Sequence, residues 1–115
     1  MKPFEIEKTP RGADSYAIPQ SDAIYVVALT ANTAKSQAVP SGAGSVMFQC
    51  VDAAGNQAPF WANFSGPAAI AAADVTDGSA SEPNPVHRSL YGVTSISVIS
   101  PVACYVYMMF YGPAC

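Results

Sequence analysis

Apolar and polar positions alternate with a period of two in several stretches of this chain, and the alternation is clearest near its end. Residues 92–111 read G-V-T-S-I-S-V-I-S-P-V-A-C-Y-V-Y-M-M-F-Y. Two strands are predicted, split at Ser100-Pro101, because a strand turns successive side chains to opposite faces. In the first, Thr94, Ile96 and Val98 alternate with Ser95 and Ser97. In the second, Cys104, Val106, Met108 and Phe110 share one face, and Tyr105, Tyr107, Met109 and Tyr111 share the other. This last run is apolar on both faces, so its second face must meet another sheet, another subunit or a ligand.

Earlier strands follow the same logic. Residues 23–30, A-I-Y-V-V-A-L-T, are β-branched and apolar on both faces, the pattern of a strand at the centre of a sheet. Residues 45–51 place Val46, Phe48 and Cys50 on one side, and Met47, Gln49 and Val51 on the other. Residues 59–65 alternate Phe60, Ala62 and Phe64 against Trp61, Asn63 and Ser65. Between them, residues 39–44 are a turn and residues 52–56 a hairpin-type loop with Gly at positive φ. Residues 31–38 fit either a loop or one helical turn, and residues 68–74 either a strand or a short helix. Residues 75–90 read as a long loop held extended by prolines.

Short strands with frequent Gly and Pro punctuation, and no amphipathic helix, predict an all-β protein. The expected architecture is a single compact β-sandwich or jelly-roll-like domain of about six to eight antiparallel strands. Residues 1–14 are expected to form an N-terminal arm or edge strand, and residues 15–115 the sandwich. In the arm Phe4 and Ile6 alternate with Glu5, Glu7 and Lys8, which suits docking on a neighbour.

Composition sharpens this picture. The chain has 115 residues, of which 11% are charged and 50% apolar, with a net charge of −3. Ordinary soluble domains carry about 25% charged residues. A surface this poor in charge suits a molecule partly covered by neighbours. Lys2, Lys8, Arg11, Lys35 and Arg88 are scattered, which argues against nucleic acid, since that needs a basic patch. The start, Met-Lys-Pro-Phe-Glu-Ile-Glu, lacks the apolar core of a signal peptide. Residues 102–111 are half the length a membrane helix needs. No membrane association is expected, and synthesis is assigned to the cytoplasm.

Candidate chemistry is sparse. Cys50, Cys104 and Cys115 show no metal-ligand spacing. Cys50 and Cys104 fall on inward faces, as free thiols or a bonded pair, and Cys115 is terminal. His87 is the sole histidine, and no G-x-S-x-G elbow accompanies it. Asp74, Asp77 and Glu82 miss the alternate spacing of an EF-hand loop, and Asp77-Gly78 is better read as a turn. Phosphate-binding glycine motifs do not occur. Neither catalysis, cofactor nor metal is expected. Trp61, on a half-polar face, is read either as a lid on the core edge or as an interface or sugar-stacking residue.

Residues 74–111 also carry a D-G-S-x-S-E-x-N-P loop, an Arg a few residues on, then G-V-T-S-I-S and a closing aromatic strand. This segment resembles small structural proteins of tailed bacteriophages, the head decoration (cement) or minor virion proteins. The Met108-Met109 pair and the terminal Cys115 depart from that pattern. The resemblance implies a virion protein that binds the major capsid protein as a homo-oligomer, a dimer or trimer. Its contacts are expected at Tyr105, Tyr107, Met109, Tyr111, Trp61, Arg88, Phe4 and Ile6. Tyr and Met suit such contacts because interface cores are depleted of charge. The alternative is a carbohydrate-binding or adhesin-like module of a tail or fibre, with glycan stacked on Trp61.

Overall fold

Residues 23–30, 45–51, 59–65 and 92–111 all yield strands in the computed structural model, which describes residues 1–4 and 18–113, so that most of the expected arm 1–14 lies outside it. In chain order the strands are β1 (Ala23–Leu29), β2 (Lys35–Ala38), β3 (Ser45–Val51), β4 (Trp61–Asn63), β5 (Glu82–Pro83), β6 (His87–Ser89), β7 (Ser95–Ile99) and β8 (Cys104–Tyr111). All pairings between these strands are antiparallel. They make two four-stranded sheets, ordered β1-β8-β3-β6 and β2-β7-β4-β5. The protein is a small all-β sandwich, as the alternation predicts.

The core lies between the sheets. The first sheet sends in Val27 and Leu29 from β1, Val46, Phe48 and Cys50 from β3, and Cys104, Val106, Met108 and Phe110 from β8. The second sends in Ala62, Ile96 and Val98, and Phe60 just before β4 joins them. Phe48 crosses the gap to meet Phe60 and Phe64, with ring centroids 5.7 and 6.0 Å apart. Ser100, fully buried at the β7–β8 corner, donates from Oγ to the Pro59 carbonyl at 2.7 Å and accepts from the Val102 N–H. Its hydroxyl therefore ties the crossing between sheets to the start of β4.

Four expectations are corrected. The run 23–30 is apolar on both faces, yet β1 lies at a sheet edge and pairs with β8 alone. Residues 35–38 form neither loop nor helix but strand β2, drawn out by pairing with β7. Residues 68–74 are neither strand nor helix; they form part of an irregular cover over the second sheet, where the Ala68 N–H bonds Ser97 Oγ at 2.8 Å. That cover explains why Ser97, on the outward side of β7, is buried. The long loop 75–90 contains the short strands β5 and β6, which cross from one sheet to the other. The turns behave as read: Gly55 has φ +85° and Gly78 φ +84°, each after an Asp that accepts backbone N–H groups.

Phe110 is fully buried where β8 passes between β1 and β3. Phe110→Ala should cost about 3–5 kcal/mol through lost burial and a residual cavity. Urea unfolding followed by Trp61 fluorescence checks this, and a loss below about 1 kcal/mol would contradict the central place given to β8.

Candidate functional site

The outer face of the first sheet carries no charged side chain. Register places its residues in rows: Ala28, Tyr105 and Val51; Val26, Tyr107 and Gln49; Ile24, Met109, Met47 and His87. Tyr105 is 42% and Tyr107 37% exposed, beside Ile24 at 44% and Val26 at 50%. Met109, Met47 and Val51 are partly covered. Water thus meets a broad surface of aliphatic, aromatic and thioether groups. Scattered single apolar residues are normal on a surface, whereas a contiguous set marks an interaction site.

Tyr111 does not belong to this exposed set. It is only 4% exposed, because the first residues of the chain fold over it. Pro3 bridges Gly112, whose N–H donates to the Lys2 carbonyl at 2.7 Å. Phe4 then meets Tyr111 edge-on at 5.0 Å and His87 at 4.0 Å. The Tyr111 hydroxyl donates to the Pro19 carbonyl at 2.8 Å. Phe4 is accordingly occupied within its own chain, while Ile6 and Cys115 lie outside the described residues.

Trp61 stands on the outward side of the second sheet, where the chain's own cover meets it. It lines a cleft of about 160 Å³ with Pro67, Ala69, Ala71 and Val75. Binding pockets for small molecules run from about 300 Å³ upward. The ring is a lid on the chain's own loop, and its place does not favour a sugar platform.

Arg88 is committed inside the molecule too. Its guanidinium grips the Glu82 carboxylate with two nitrogens, Nε lying 2.9 Å from Oε1. The pair clips the edge of one sheet to the edge of the other, since Arg88 is on β6 and Glu82 on β5. The Arg88 hydrogen bond holds the Glu82 carboxyl below its usual range. Its contribution is therefore present above the ordinary carboxylate pKa and is lost as pH falls through the lowered one. Both groups are solvent-exposed, so screening keeps the pair to about 1 kcal/mol or less.

The groups that carry chemistry do not converge. His87 Nε2 has no hydrogen-bond partner, and its ring rests on Phe4. Asp77 is turned onto its own loop, accepting from Ser79 Oγ at 2.6 Å. Among the described residues, no three of His, Cys, Asp and Glu gather as metal ligands. No helix among the described residues is long and apolar enough to cross a membrane.

Cys50 and Cys104 are buried free thiols whose sulfurs lie 3.4 Å apart. Burial, reinforced by Cys104, pushes the Cys50 thiol up to about 12. The thiolate is the reactive form, so these groups are packing elements.

The sequence pattern does not single out Ile24, Val26, Met47 and Val51 as members of this face. A signal for the first two is nonetheless present: residues 23–30 are apolar on both faces, a pattern that reads as burial and here marks an open face. Compared with known proteins, the chain matches no family model, no curated protein and no solved structure.

Native protein treated with iodoacetamide at pH 8 should stay unlabelled at Cys50 and Cys104, and both should label in urea. Peptide mass mapping reads the result. Fast native labelling, or recovery of the two as a disulfide, would contradict a closed reduced core.

Proposed function

We propose that this chain is a structural protein of a tailed-phage particle, of the head decoration or cement kind. In this reading it resides in the virion and binds the major capsid protein as a homo-oligomer. The observation that carries the reading is the charge-free outer face of β1, β8 and β3, half open to solvent at Ile24, Val26, Tyr105 and Tyr107. A cement protein needs such a face and no reaction centre, because its work is to bury apolar surface against a neighbour. Tyr and Met suit that role: Tyr offers a large contact area with few degrees of freedom, and Met packs adaptably. The resemblance of residues 74–111 to phage structural proteins supplies the kind of partner. With Arg88 held by Glu82 and Trp61 held by its loop, the contact reduces to the sheet face itself.

Tyr107→Glu places a charge in the middle of that face, on a side chain already partly in water, so the fold should survive. Far-ultraviolet circular dichroism should match wild type, while co-sedimentation with heads of the phage that encodes the chain should fall at least tenfold. Wild type that fails to sediment with heads, or a variant that still does, overturns the reading.

A further inference from the structure

The four sheet edges are not alike. β5 is two residues long and contains Glu82 and Pro83. β6 has three residues and carries Arg88; β2 has four and carries Lys35. Shortness, charge and proline are the devices by which natural edges refuse a further strand. β1 has none of them. It is seven residues, A-I-Y-V-V-A-L, without charge, proline or glycine.

Its backbone is also turned outward. Phe48 gives its N–H to the Val86 carbonyl on the β6 side, so β3 addresses β8 through its odd-numbered residues. β8 then addresses β1 through Cys104, Val106, Met108 and Phe110, whose partners are Leu29, Val27, Tyr25 and Ala23. The Phe110 carbonyl does point that way, accepting from Ser21 Oγ at 2.6 Å. Ladder alternation leaves the N–H and C=O of Ile24, Val26 and Ala28 aimed at the open edge. None of them pairs with another strand among the described residues.

We propose that β1 is a pairing edge, and that its occupant is β1 of a second copy of this chain, antiparallel about a two-fold axis at Val26. That centre is the middle of the strand and gives all seven residues a partner. Ile24 then faces Ala28 of the partner subunit, and Tyr25 faces the partner subunit's Val27. Every facing pair is apolar, and Asp22 falls opposite the partner subunit's Thr30, so copies of net charge −3 bring no like charges together along the strand. An uncharged edge is complementary to itself, which is what an isologous contact needs. Tyr25 adds a second sign. Its ring points inward, edge-on to Phe110 at 5.4 Å, yet stays 38% exposed because the sheet stops there. A second β1 would cover it. The pairing would also carry the charge-free face across the two-fold as one continuous surface. The inference stands on the edge and not on the phage reading.

The test is a cross-link in the full chain with Cys115→Ser. Two Val26 residues directly opposite in an outward-bonded pair have Cα atoms about 5.5 Å apart. Disulfides span about 4.4–6.8 Å, so Val26→Cys should convert most of the protein to a covalent dimer under mild oxidation, reversed by dithiothreitol. Gln49→Cys, on the same face two strands away, should remain monomeric. The combination Ile24→Cys with Ala28→Cys should cross-link as Val26→Cys does, and serves if the single variant folds poorly. A monomeric Val26→Cys in a folded protein overturns the proposal. So does cross-linking at Gln49→Cys alone, which would mean that two faces meet. The Tyr107→Glu change should lose head binding and keep the cross-link, which separates this inference from the one above.

Discussion

The strand that the rest of the molecule depends on is β8, and the constraint it imposes is that an eight-residue ribbon without charge must be buried from both sides. One side is settled by the sandwich itself. Val106, Met108 and Phe110 lie wholly inside, and burying each is worth about 1.5–3 kcal/mol relative to exposure. Among the described residues the other side is covered at its end, where residues 1–4 and Pro19 close over Tyr111. From Met109 back to Tyr105 the face has no cover of the same kind among the described residues. Burial of apolar surface drives folding here, and the same force would drive the proposed association.

Charge placement fits that division. In the described residues the one side-chain ion pair, Arg88 with Glu82, spans the seam between the two sheets at the edge opposite β1. Lys35 marks the edge of the second sheet. The charges carried on described strands thus lie on the edges β2, β5 and β6, and they are missing from the β1-β8-β3 face and from β1 itself. The four edges therefore differ in kind, and β1 is the long uncharged one.

Local alternation made β3, β7 and β8 legible in the sequence, because a period of two with one buried face leaves little freedom in register. The inward sets Val46-Phe48-Cys50 and Val106-Met108-Phe110 could be read directly from the residue order. Position within a sheet was not legible. β1 looks central because both its faces are apolar, yet centrality depends on which strands flank it, and those are far away in sequence. Tyr111 shows the same limit: its alternation with Phe110 correctly sets it on the outer face, but its cover comes from Phe4, more than a hundred residues earlier. β2, β5 and β6 are too short and too polar to announce themselves; pairing with a longer neighbour makes them strands.

The misleading pattern of β1 is informative in itself. Two apolar faces on a strand favour burial of both, and among the described residues β1 has a neighbouring strand on one side only. A centrally patterned strand found at an edge is what the proposed pairing with a second β1 would account for. Adding a second β1 converts the edge into a centre and makes the pattern consistent with its place. The same step would join two copies of the Tyr107 face side by side and double the apolar area offered to any larger surface. Two weak contacts held on one rigid sheet bind far more tightly than either alone, because the second forms at high effective concentration. If β1 pairs with a second β1 as proposed, edge and face act together: self-pairing would build a platform, and the platform would give a shallow aromatic face enough reach to hold a neighbour.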